Sequence, residues 1–153
     1  MPPTPTPTFT ATPTTGGAIQ PATYYPSSLQ ILSGKYDWGT MASFKASDSD
    51  TYDILTAAVT GGYASDWYGS ASMVGNPSAV SQIIVTYGGQ YSVKSVSQEV
   101  YMYNFQSAIW ELVNSQSVGN VNDVIVTKTV SVNPQRYISS SGEMRLRVRG
   151  FRA

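Results

Sequence analysis

The sequence predicts an all-β fold, an antiparallel β-sandwich, and three features carry that prediction. No segment sustains helical periodicity. Short runs rich in Val, Ile, Thr and Tyr recur between Gly, Asn, Asp and Pro, the spacing of a sandwich or barrel. The stretch from Ser97 to Val132 alternates apolar and polar residues, and reads as three consecutive strands joined by polar turns. A meander of this kind needs a second sheet to bury its valines.

The chain opens on residues 2–15, PPTPTPTFTATPTT, a low-complexity Pro/Thr segment. Proline fixes φ and favours extended polyproline conformations, so this segment reads as a semi-rigid spacer, of a composition that also serves as an O-glycosylated stalk. Residues 1–23 are assigned to the linker and 24–153 to the sandwich, with Gly16 to Pro26 as the transition. Strands are expected at Ser28–Ser33, Thr40–Ala46, Thr51–Ala57, Tyr68–Val74 and Val80–Tyr87. The loop GGYASDWYGS leads into the fourth, and Gly88-Gly89 ends the fifth. Asn133-Pro134 stops the Val-rich strand, Gln135 to Ser141 supplies a single helical turn, and Glu143–Arg149 is the last strand.

Within the central stretch, Gln98, Val100 and Met102 alternate with Glu99, Tyr101 and Tyr103. A turn over Asn104 to Ala108 sets Tyr103 opposite Ile109, Met102 opposite Trp110 and Tyr101 opposite Glu111. Val100, Met102, Trp110 and Leu112 then face the core, while Glu99, Tyr101, Tyr103 and Glu111 share the outer face. A slip of one residue would carry Trp110 outward. Val124, Val126, Val130 and Val132 form a third inward stripe.

Composition bounds the function. The chain has nine basic and nine acidic residues, only 12% charged in all, which gives no support for nucleic-acid binding. Serine, threonine, glycine, asparagine and tyrosine take the place of charge, making a neutral polar surface suited to sugars and other uncharged partners. There is no Cys and no His, which excludes disulfides, thiol nucleophiles, ordinary zinc sites and Ser-His-Asp triads. No run is long and apolar enough for a membrane helix. Met1 leads straight into Pro2-Pro3-Thr4 without a signal peptide, so the natural polypeptide is expected to extend upstream.

Two motifs carry a family resemblance. YMYNFQSAIWELVNSQSVG (101–119) places an aromatic-x-aromatic-Asn-aromatic strand before a turn and a Trp strand, and YISSSGEMRLRVRG (137–150) ends on alternating arginines. Together they resemble the galactose-binding-like jelly-roll modules appended to secreted bacterial glycoside hydrolases and surface proteins. The likeness spans most of residues 28–150. It implies a jelly-roll sandwich and a non-catalytic module, carbohydrate-binding and secreted or at the cell surface, joined by its linker to an upstream catalytic or surface domain. It also implies one strand more than the chain supplies after Glu143–Arg149. The edge left open there would be filled by Thr8-Phe9-Thr10-Ala11-Thr12, the stretch of the arm free of Pro, or by a neighbouring copy, giving a homo-oligomer.

Three sets of side chains are candidates for chemistry. Tyr36, Trp38, Trp67 and Tyr68 are expected to gather at one end of the sandwich with Asp66, and Tyr101 and Tyr103 to form a second strip. A sugar ring's C–H face stacks on an aromatic ring while carboxylates bond the hydroxyls. The competing reading buries Trp67 as an end cap and packs Trp38 beneath a loop. Asp48, Asp50 and Asp53 supply hard oxygens in a D-x-D-x-x-D pattern that would hold a structural calcium, though such residues also simply build turns. No other cofactor is required. Arg145, Arg147 and Arg149 share one strand face, where they either meet an anionic glycan or pair with acidic neighbours. Glu99 and Glu111 would share a face as a glycosidase pair does, but nothing else marks a catalytic site, and an enzyme is not expected.

Overall fold

The computed structural model describes residues 8–13, 21–45, 51–119 and 124–153. Its strands are β1 (Thr8–Pro13), β2 (Ala22–Tyr24), β3 (Ser28–Ser33), β4 (Lys35–Trp38), β5 (Asp53–Leu55), β6 (Ala57–Val59), β7 (Gly62–Ser72), β8 (Val80–Gly89), β9 (Val96–Asn104), β10 (Ile109–Val118), β11 (Val124–Val130) and β12 (Glu143–Arg152). The larger sheet runs β10-β9-β12-β7-β3, with β6 added to β7, and the smaller runs β11-β8-β1-β2. β4 and β5 form a separate two-stranded flap. The fold is an all-β antiparallel sandwich, as the alternating strands predict.

The core lies between the two sheets because each strand's period of two places one apolar set inward. β12 contributes Met144, Leu146 and Val148, β9 contributes Val100 and Met102, and β7 contributes Trp67 and Ala71. From the smaller sheet come Phe9, Ile83, Val85, Tyr87 and Val126. The 3-10 turn Pro134–Tyr137 closes one end, its Tyr137 buried in the same cluster.

Four expectations are corrected. The segment read as linker enters the fold: β1 lies between β8 and β2, and its Phe9 is wholly buried, so the sandwich begins well before residue 24. Proline cannot donate to a ladder, and the register shifts where Pro13, the last residue of β1, enters. The edge it fills is not that of β12, which is paired on both sides, with β7 and β9. β11 does not extend the meander but crosses to the smaller sheet and pairs with β8, leaving Val132 exposed beyond its end. Finally, the Thr40–Ala46 stretch holds a 3-10 turn, Met41–Phe44, instead of a strand. Thr40 accepts from the Ala42 amide and Ser43 from the Thr40 amide, a reciprocal cap that outcompetes the short alternating pattern.

The central hairpin has the slipped register. Trp110 pairs with Tyr103, Glu111 with Met102 and Leu112 with Tyr101. Asn104 is the cause: its Oδ1 accepts from the amides of Gln106 (2.8 Å) and Ser107 (3.1 Å), so it ends β9 as a turn cap and pairs with Ile109. Trp110 therefore joins Tyr101 and Tyr103 outside, and Glu111 points to the inner rim. A bulge at Val113 then resets the alternation, placing Asn114 opposite Val100 and Gln116 opposite the fully buried Gln98.

If the arm is part of the core, Phe9→Ala lowers unfolding free energy by about 3 kcal/mol, the lower end for a buried Phe because the arm can detach locally. Urea unfolding of the full chain checks this, and a loss below about 1 kcal/mol would place the arm outside the core.

Candidate functional site

The outer face of the larger sheet carries the alternating arginines. Each has an acidic partner. Arg147 grips Asp66 with two bonds, Nε to Oδ1 at 2.7 Å and Nη2 to Oδ2 at 2.5 Å, the fork-to-fork geometry of the strongest such pairs. Arg145 bonds Glu143 at 2.8 and 3.2 Å, and Arg149 bonds Glu99 at 3.2 Å. Partnership holds the charges in place: the bond to Asp66 raises the Arg147 guanidinium further, and Arg145 holds the Glu143 carboxyl below its usual range. Of the two readings for these arginines, pairing with acidic neighbours is the one realised.

Aromatic rings cover this ladder. Phe105, Tyr103, Trp110 and Tyr68 form a continuous row with successive centroids 5.0, 5.1 and 5.4 Å apart. Arg145 sits 5.2 Å from the Tyr103 centroid and 5.3 Å from that of Phe105, and Arg147 lies 5.4 Å from Tyr101. The rings meet at interplanar angles of 83°, 67° and 51°, so they pack edge to face instead of offering one flat platform. Tyr101 donates to Glu99 at 2.7 Å, and Tyr68 donates to Gln30. Asp66, Tyr68, Tyr101 and Tyr103 are thus brought together, but largely with one another and the arginines.

Trp67 lies elsewhere, with 8% of its surface exposed, on the inner face between Phe44 and Tyr87. Its neighbours on β7 face outward because successive side chains alternate, so Trp67 and Tyr68 cannot share a platform. The segment expected to be a loop around them is β7 itself.

Tyr36 and Trp38 stand on the flap, where all four residues of β4 are exposed and Trp38 is 68% exposed. Several contacts brace the flap. Tyr36 donates to the Gly39 carbonyl at 2.7 Å. Gly39 adopts φ +102°, and a Cβ there would collide with the Thr51 carbonyl. A chain of rings ties the flap to the core: Tyr36 to Tyr52 at 5.4 Å, Tyr52 to Phe44 at 5.0 Å, and Phe44 to Trp67 at 5.8 Å. Register places Asp53 opposite Trp38, with Asp37 beside it in β4. Among the described residues neither aspartate has an ion pair. An open cleft of about 440 Å³ lies along the 3-10 turn that follows β4, between Tyr24, Tyr25, Met41 and Lys45.

Asp48 and Asp50 lie outside the described residues. Asp53 is on the flap, and among the described residues no cluster of three acidic side chains fit to hold a metal is formed. Glu99 and Glu111, expected to share the outer face, fall on opposite faces through the slipped register.

Glu111 instead anchors a knot at the inner rim. Asn104 donates to its Oε1 at 2.6 Å, and Tyr137 and Arg136 donate to Oε2 at 2.5 and 3.1 Å. These bonds, Asn104 first, hold the Glu111 carboxyl below its ordinary range, while burial and the bond to Glu111 push the Tyr137 hydroxyl up to about 12. No local motif announces this knot, since Arg136 and Tyr137 are 25 and 26 residues away from Glu111.

Compared with known proteins, the chain matches no family model, no curated protein and no solved structure. Among the described residues no helix is long and apolar enough to cross a membrane.

The knot has a pH signature. Glu111's folded pKa lies below its unfolded value of about 4.3, so its bonds contribute stability above that value, and the contribution is lost as pH falls through the depressed folded value. Thermal melts of the wild type across the acid range should fall steeply there. Glu111→Gln should melt lower at neutral pH and lose part of that slope. An unchanged slope would remove Glu111 as a source of acid lability.

Proposed function

We propose that the chain is a non-catalytic carbohydrate-binding module, of the galactose-binding-like jelly-roll kind its motifs resemble. It is secreted, and its Pro/Thr segment joins it to an upstream catalytic or surface domain. The observation that carries this reading is Trp38, the most exposed of the large hydrophobic aromatics, held on a braced flap with Asp37 and Asp53 beside it.

An exposed indole is unfavourable in water, by roughly the 1.5–3 kcal/mol that burial of a large apolar side chain returns. A flap with its backbone fixed by Gly39 and tied to the core through Tyr52 and Phe44 holds that ring with little entropy left to lose on binding. The apolar face of a sugar suits the indole, and the two carboxylates are free to accept hydrogen bonds from its hydroxyls. An open surface of this sort suits a polysaccharide lying across it better than a small ligand engulfed in a pocket. The herringbone row on the outer sheet serves this reading less well, because its ring faces are turned toward one another.

Affinity electrophoresis against a panel of neutral polysaccharides tests the proposal. One polymer should retard the wild type, with little dependence on salt because stacking is not screened. Trp38→Ala should abolish retardation with an unchanged melting temperature, whereas Trp110→Ala should leave it. Retention equal to wild type in Trp38→Ala would end the flap reading, and no retardation on any polymer would end the carbohydrate reading.

A further inference from the structure

The slot that β1 occupies is bounded by backbone on both sides. β8 pairs with it along its whole length, from Thr8 opposite Thr86 to Pro13 opposite Val80, and β2 pairs through Phe9 opposite Tyr24, Thr10 opposite Thr23 and Ala11 opposite Ala22. Phe9 is wholly buried in the shared core, against residues of both sheets. Recognition therefore has two parts: a ladder of main-chain bonds, and one deep apolar hole that fixes register. That is how a sheet takes up an added strand from another chain.

The occupant is a short cassette. Thr8 to Thr12 is free of proline, and Pro13, the last residue paired with β8, cannot donate to the ladder. It is joined to β2 through the segment 14–21, whose sequence carries a Gly16-Gly17 pair. Docking must offset the ordering of six backbone residues with a ladder and one buried ring. Once the cassette leaves, β8 loses its partner on that side and β2 is left as a short isolated strand.

We propose that the slot between β8 and β2 is a strand-acceptor site, and that the Thr8–Pro13 cassette of a second copy of this chain fills it when copies are held close. Identical sequence makes the foreign cassette as good a ligand as the chain's own, which is the low-barrier route to assembly by exchange of an element. The proposal does not depend on sugar binding, since slot and flap share no residue.

The absence of cysteine makes the test direct. Thr10 and Ile84 are cross-strand partners, a spacing that a disulfide can bridge. One batch of full chain carries Thr10→Cys and a second, larger tagged batch carries Ile84→Cys. The two are mixed at high concentration, oxidised, and run on a non-reducing gel. The expected result is a covalent band joining one chain of each batch. Excess free peptide spanning residues 5–16 should suppress it, and the same peptide carrying Phe9→Asp should not. Absence of the mixed band overturns the proposal, and so does a mixed band indifferent to the peptide, which would report collision instead of strand exchange.

Discussion

The interaction on which this structure depends is the two-sided commitment of β12. Its inward residues Met144, Leu146 and Val148 are essentially inaccessible, and its strand neighbours β7 and β9 hold it along most of its length. In an antiparallel sandwich the outward face of such a strand is ordinarily polar. Here the outward positions are Arg145, Arg147 and Arg149, and three guanidinium groups side by side repel one another. The surrounding strands answer with Asp66 from β7, Glu99 from β9 and Glu143 from β12 itself, then lay Tyr68, Tyr101, Tyr103 and Trp110 over the pairs. Partly desolvated ion pairs of this kind give little net stability but penalise any register that separates them. The ladder therefore acts mainly to fix how the strands line up.

That commitment sorts the molecule's polar chemistry. All three glutamates in the chain are joined to arginines, as is Asp66. The described carboxylates without such partners, Asp37 and Asp53, are both on the flap. The aromatics divide in the same way. Trp67 and Tyr87 fill the core, the outer row packs against guanidinium groups, and Trp38 is left facing solvent. Residues that look alike in sequence, an aromatic beside an aspartate, thus end in opposite roles. Asp66 beside Trp67 belongs to the sheet's internal electrostatics, whereas Asp37 beside Trp38 remains available.

The strands were legible in the sequence because alternation and turn residues are local signals, and Ser28–Ser33, Val80–Gly89 and Glu143–Arg152 lie close to where those signals put them. What was not legible depended on a single competing bond or on distant partners. The hairpin register turned on whether Asn104 capped the turn or merely entered it, a difference of one residue that reversed Trp110 and Glu111. The crossing of β11 to the smaller sheet is set by which edge is free, something no window of sequence contains. Of the residues expected to gather at one end, Tyr36 and Trp38 lie on the exposed flap, whereas Trp67 is turned inward because β7 continues through the stretch expected to be a loop.

The same contrast explains why a Pro/Thr-rich arm can hold a place in the sheet. Low complexity usually means too little apolar surface to offset chain ordering. The arm escapes that rule through one residue, since Phe9 supplies the burial that threonine and proline lack. Pro13 closes the strand where the register on β8 shifts, so the docked length is short. The arm is therefore not independent of the body: displacing β1 would strip β8 and β2 of a partner and open the core around Phe9.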